Sequence, residues 1–291
     1  MVVLIFFVLG LLIGSFLNAA IYRLHMQARL KSKAKITKQK TKKLSTFDFQ
    51  LSAHQNRYSI LAGRSMCPNC KHQLSMSDLI PVISWLLLGG RCRYCKKSIS
   101  VQYPFVELIT AILFCWSFLV WDFAGAYTYI QFGIWLVLLT GLIFLAVYDL
   151  KWMLLPDRVL LPLIAVGGVG LILGIIFGVS LKDSLWQLTT AIVSGGFFYA
   201  LFAFSNGKWM GGGDVKLAFL MGLILAPINA IVAFVLAFNI AAFVSIGLII
   251  FKRLSRKDLI PFGPFLISAT IISQLYGEQI FSWYLRLVSI Y

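Results

Sequence analysis

Residues 132–149 read FGIWLVLLTGLIFLAVYD, seventeen uncharged residues followed by an acid. The wider apolar run, 128–148, is about 30 Å long as an α-helix, which is the thickness of a bilayer's hydrocarbon core. Apolar and polar residues do not alternate along it, so a barrel strand is excluded. The run reads as a membrane-crossing helix with Asp149 at its end. Seven similar runs surround it, at residues 2–21, 103–121, 159–179, 185–204, 215–227, 229–251 and 261–276. The chain is expected to be an all-α polytopic membrane protein with about eight transmembrane helices. The sixth run is short and ends at Pro227, which fits a tilted or half-inserted helix. Composition agrees: of 291 residues, 60% are hydrophobic and 12% charged. Soluble domains are nearer 25% charged. A soluble globule and a disordered tail are both excluded.

The formal charge of +16 is concentrated in one place. Residues 22–100 hold 16 of the 26 basic residues against two acids, Asp48 and Asp78, a net of +14. Basic segments beside a span stay in the cytoplasm. The first run has no Lys or Arg before it and Arg23 just after it, the reverse of a cleaved signal peptide. The expectation is a retained first span with its N-terminus outside. Alternating the spans from there puts Lys151, Arg158, Lys208, Lys216, Lys252, Arg253, Arg256 and Lys257 inside. The expected organisation is a first helix at 1–21, a basic cytoplasmic loop at 22–102, a seven-helix core at 103–276 and an interfacial tail at 277–291. Seven lysines between Lys31 and Lys43 carry no apolar period. They read as a basic linker on anionic lipid head groups, and no specific nucleic-acid partner is expected. Gly14, Ser15 and Asn18 give the first helix a small, polar face for packing on another helix.

Two CxxC pairs, Cys67-Pro68-Asn69-Cys70 and Cys92-Arg93-Tyr94-Cys95, are separated by 21 residues. Two such knuckles can complete a tetrahedron of thiolates around zinc. The gap is one residue beyond the usual zinc-ribbon range. In a cytoplasmic loop a metal is favoured over two disulfides, with unliganded thiols as the remaining alternative. Four thiolates leave no open coordination position, so the zinc-ribbon-like loop would be structural. Cys115, in an apolar run, reads as a core residue, and His72 as a solvated neighbour.

The few acids fall at span ends. Asp149 closes the third run and precedes Leu155-Pro156-Asp157; Asp214 opens the sixth, in Gly211-Gly212-Gly213-Asp214-Val215-Lys216. Acids at a membrane boundary are costly unless they pair, face water or do chemistry. Two aspartates brought together share one proton. One can then take a proton from water while the other gives one to a peptide carbonyl or its leaving amine. The glycines would let a substrate backbone approach Asp214 closely. Helix capping accounts equally for Asp214 and Asp157. It does not account for Asp149, which the helix dipole disfavours at a C-terminus.

Taken together, these motifs resemble the type IV prepilin peptidases, a bifunctional family of membrane aspartic proteases and N-methyltransferases. The matching pieces are Gly14-Ser15-Phe16-Leu17-Asn18, Tyr22-Arg23-Leu24, the Cys pairs, Ile80-Pro81-Val82-Ile83-Ser84-Trp85, Gly90-Arg91-Cys92, Tyr103-Pro104-Phe105-Val106-Glu107, Asp149 with Leu155-Pro156-Asp157, and Gly211 to Lys216. The resemblance implies that Asp149 and Asp214 are the catalytic pair, with Asp157, Gly211, Gly213 and Lys216 in support. It implies cleavage of a short basic leader from prepilin or pseudopilin precursors at the cytoplasmic face of a bacterial inner membrane. It also implies methylation of the new N-terminus from S-adenosylmethionine. For that second step the attacking amine must be neutral, and a free α-amine titrates near 7.7–8.0. Glu107 is the candidate to orient it or accept its proton; a first-turn helix acid is the competing reading. Two departures lie in the half associated with methylation: His25 stands where the family usually carries Pro, and the stretch to Ser65 is long and Lys-rich.

Two other classes remain on the residues alone. A presenilin-like intramembrane protease would share Tyr148-Asp149 and Gly211-x-Gly213-Asp214, but not the Cys knuckles or Pro156-Asp157. An ion-coupled transporter would use the acids as proton relays, but should place them near mid-bilayer.

Overall fold

A computed structural model describes residues 1–40, 59, 63, 65–251 and 260–288, and the side chains of all of these except 33–40. Residues 41–43 at the end of the Lys-rich stretch, the Lys252–Lys257 connection and Tyr291 therefore lie outside what is described. Among the described residues, regular structure is helical, apart from two isolated bridges, Met66 with Gln73 and Arg91 with Ser98. Among the described residues, six helices are long and apolar enough to cross a membrane. The chain divides into two compact units, Met1–Leu119 and Val120–Tyr291.

The first unit holds α1 (Val2–Lys40), a short 3₁₀ turn (Met76–Leu79), α2 (Ile83–Leu87) and α3 (Gln102–Val120). Helix α1 does not stop at residue 21. Its backbone stays helical through Lys40, because lysines are good helix formers and no Gly or Pro interrupts them. The expected linker is thus helical over its first part. α1 and α3 run antiparallel along the small-residue face. A Cβ on Gly10 would lie 2.5 Å from Ala111 Cα, and one on Gly14 would lie 2.6 Å from Glu107 Cα. Only glycine lets the two backbones approach this closely. Asn18 Nδ2 donates to the Tyr103 carbonyl at 3.0 Å, in the same register. Cys115 is not a core residue; it is part-exposed on α3, its thiol 3.4 Å from the Val3 carbonyl.

The second unit holds α4 (Ala126–Trp152), α5 (Asp157–Ile176), α6 (Leu181–Phe204), α7 (Gly212–Ile224), α8 (Pro227–Ile250) and α9 (Gly263–Val288). All eight apolar runs are helical. The sixth run is α7, only 13 residues long. At 1.5 Å per residue it covers about 20 Å, short of a full crossing. Leu217, Ala218, Leu220 and Met221 on it are fully buried. Gly222 lies against the Ala191 backbone of α6, and Gln187 Nε2 of α6 donates to the Leu223 carbonyl at 2.8 Å. That bond satisfies one of the carbonyls a helix C-terminus leaves open. α7 is therefore a half-length helix enclosed by its neighbours. The segment after Gly277 is not a separate tail, because α9 continues through it to Val288.

Candidate functional site

Each Cys pair folds into the same knuckle. Lys71 N donates to Cys67 O and Lys96 N to Cys92 O, both at 3.0 Å. Cys67 N donates to His72 O and Cys92 N to Lys97 O, both at 2.9 Å. Lys71 and Lys96 take left-handed backbone angles, φ 62° and 58°, which turns each loop sharply enough to present two sulfurs on one side. The four Sγ atoms all lie within 4.8 Å of one another, and Cys67 Sγ is 3.9 Å from Cys95 Sγ. A tetrahedral ion with metal–sulfur bonds of about 2.3 Å needs sulfurs about 3.8 Å apart. The set can hold a metal, and none of the five cysteines is in a disulfide. Burial drives the Cys67 thiol up to about 11. Burial also raises Cys92, but the Cys95 and Tyr94 amides and the neighbouring thiols outweigh it and bring the thiol down to about 7. His72 remains exposed, its ring centroid 3.7 Å from that of Tyr94 on the other knuckle. Asp78 closes the loop, accepting from Arg93 Nε and Ser75 Oγ at 2.7 Å.

Glu107 belongs to this unit. It is not in the first turn of α3 but five residues in, only 7% exposed, and it accepts from Val82 N at 2.7 Å. The first-turn reading is thereby removed, since the first turn of α3 carries no acid.

The carboxylates belong to the second unit. Helix α4 ends where Met153 adopts a left-handed angle, φ 51°, and donates its N–H to the Asp149 carbonyl at 2.8 Å. Pro156 then starts α5. This places the Asp149 side chain one turn before the helix end, 5% exposed. Asp214 is the third residue of α7, and its Oδ2 accepts from Gly211 N at 3.1 Å. That is the acid half of a capping box, so the capping reading of Asp214 holds for this oxygen. The two acids are carried to one place, since Gly213, next to Asp214, and Gly263, against Asp149, both lie on Leu155. Leu155, in the α4–α5 turn, explains how they converge. A Cβ on Gly213 would sit 2.9 Å from Leu155 Cβ, and one on Gly263 would sit 3.5 Å from Leu155 Cδ2.

Gly263 was not singled out in the sequence, and it touches Asp149 directly. Its N–H donates to the Asp149 carboxylate, and a Cβ there would lie 2.5 Å from Asp149 Oδ2. The available signal is Pro261-Phe262-Gly263-Pro264, a glycine between prolines just before an apolar run. Asp157 and Lys216 pair with each other, Nζ to Oδ1 at 2.6 Å, on an exposed face. Asp157 does not cap α5 through its side chain.

Fold and site thus define a multi-pass helical membrane protein in which two acids from separate helices meet in one unit and four thiols meet in the other. The Bacterial Peptidase A24 N-terminal domain family matches residues 8–122, and the Type IV leader peptidase family matches residues 136–246. These ranges follow the two structural units. A prepilin leader peptidase/N-methyltransferase of Aeromonas salmonicida is 33% identical over 97% of this chain and 93% of its own. One from Stutzerimonas stutzeri is 34% identical over 96% and 92%. One from Bacillus subtilis is 33% identical over 79% and 88%. No solved structure matches the chain. The chain belongs to the prepilin leader peptidase/N-methyltransferase family.

Proposed function

We propose that this protein is a membrane aspartic endopeptidase that removes the short basic leader of type IV prepilins or pseudopilins and N-methylates the new N-terminus. The observation that carries the reading is the convergence of buried Asp149 and half-buried Asp214 beside Gly213 and Gly263. In the proposed mechanism the two carboxyls hold one proton between them. The ionised one takes a proton from a water molecule, whose oxygen attacks the scissile carbonyl carbon. The protonated one gives its proton to the carbonyl oxygen. The tetrahedral centre then collapses as the leaving amine takes up a proton, and the dyad is restored. The Gly263 N–H fixes one Asp149 oxygen, and the bare glycine backbones leave room for an extended peptide. The Asp157–Lys216 pair ties the start of α5 to α7 from outside.

Cys67, Cys70, Cys92 and Cys95 are assigned to one zinc ion, which would supply structural stability and no reaction step. S-adenosylmethionine is assigned as methyl donor, and Glu107 as the group that orients the amine or accepts its proton. Burial of Glu107 away from any helix end supports that role. The membrane is assigned as the bacterial inner membrane, with the N-terminus outside and the acids at the cytoplasmic face. The basic residues flanking α1, α4 and α6 support that orientation.

The test is incubation of purified protein with a pilin-type precursor and S-adenosylmethionine, followed by mass measurement of the product's N-terminus. A product shorter by its leader and heavier by one methyl group is expected. An unprocessed precursor would contradict the reading, and a cleaved but unmethylated product would remove its second half.

A further inference from the structure

The segment between the two knuckles is divided into two faces. Asp78 turns inward onto Arg93 and Tyr94. Trp85 also turns inward, its Nε1 donating to the Ile99 carbonyl at 3.2 Å and its ring packed over Gly90. Apolar residues around and between them turn outward: Met76 is 90% exposed, Leu87 82%, Leu86 62%, Ile83 54% and Ile80 46%. Soluble surfaces rarely show so many large apolar side chains in so short a stretch.

The position of this face says what covers it. Val82 N donates to Glu107 Oε2 at 2.7 Å. Glu107 is five residues into α3, about 7.5 Å along an axis that crosses the bilayer. The segment is therefore tied to α3 at a level inside the span, not above it. Phe105 on the adjoining turn of α3 is itself 63% exposed, as a lipid-facing residue should be. Around the knuckles, Lys71, Arg91, Lys96 and Lys97 are exposed. Asp78, already paired with Arg93, is the single acid between residues 65 and 101. Apolar side chains at acyl-chain depth beneath a basic rim match an anionic lipid surface.

We propose that Met76–Leu88 is an interfacial anchor, seated in the leaflet nearest the knuckles, with Met76, Ile83, Leu86 and Leu87 among the acyl chains. The anchor holds the four-cysteine cluster against the bilayer beside Glu107. It requires that α1 and α3 span the membrane, and it does not depend on the catalytic assignments.

The test places a benzoylphenylalanine photoprobe at Leu87, and separately at Met76, in the full-length protein. The protein is reconstituted in phosphatidylcholine–phosphatidylglycerol vesicles, irradiated and weighed. Lipid adducts at both positions, several-fold above those from a probe at Lys97, are expected. Adducts no more frequent than at Lys97, or a covalent dimer, would overturn the anchor. A second arm adds a pilin-type precursor. Replacement of the lipid adduct by a precursor adduct would make the face a substrate-docking surface and would also overturn it.

Discussion

The four cysteines lie within residues 67–95 and form their cluster from two copies of one local turn. The two acids are 65 positions apart, on α4 and α7, and meet only because α5, α6 and the Leu155 turn carry the chain back. The knuckle's geometry is set by hydrogen bonds between near neighbours, so losing one ligand should damage that loop alone. The acid pair depends on packing throughout its unit, and there small steric changes should cost the most. Long-range sites are also where mispositioning by about 1 Å can cost a hundredfold in rate.

The largest effect should come from Asp149→Asn or Asp214→Asn. Each is expected to lower leader cleavage about a thousandfold or more while leaving zinc content and methylation of an already cleaved substrate intact. Product mass and elemental analysis on the same preparations check this. If one of these variants lost its zinc as well, the two sites would not be as independent as described.

Cys67→Ser or Cys92→Ser should release the metal, leaving well below the expected one zinc per chain. It should also raise amide exchange across residues 65–101 while helices α4–α9 keep their protection. Wild-type protein that carries no zinc in elemental analysis would refute the metal assignment.

Gly263→Ala sharpens the contrast from the other side. Its new Cβ would meet the Asp149 carboxylate at 2.5 Å. Cleavage should fall about a hundredfold with little change in thermal stability or zinc content. Gly213→Ala meets the softer Leu155 side chain at 2.9 Å and should cost less. Steady-state cleavage rates of the two variants, compared directly, check the order.

The smallest effect is expected at Lys216→Met. Its ion pair with Asp157 is solvent-exposed on both sides. Exposed pairs contribute about 0.2–1 kcal/mol, and cleavage should change by no more than a few-fold. Thermal unfolding with and without Asp157→Asn checks whether the pair has any further role.

The knuckles were legible in the sequence because their spacing carries their geometry. So was the helical class, which continuous apolar runs dictate. Asp149 was legible because an acid at a helix C-terminus has no helix-stabilising explanation. Gly263 was not, because its role is to lack a side chain at one contact with a residue 114 positions earlier, and a single chain carries no mark of that. The length of α1 was not legible, because the apolar run ends near residue 21 while helix propensity does not. Glu107 reads as a first-turn acid after Pro104, whereas α3 begins at Gln102 and places it in the second turn. Its contact with Val82 comes from a loop whose path no local pattern fixes.

The most direct test of a shared dyad is a cycle of single-turnover cleavage rates for wild type, Asp149→Asn, Asp214→Asn and the double variant. If the carboxyls act as one unit on one water, the double variant should be no slower than either single one. Near-wild-type cleavage by either single variant, or a double variant slowed by the product of the two single effects, would contradict it.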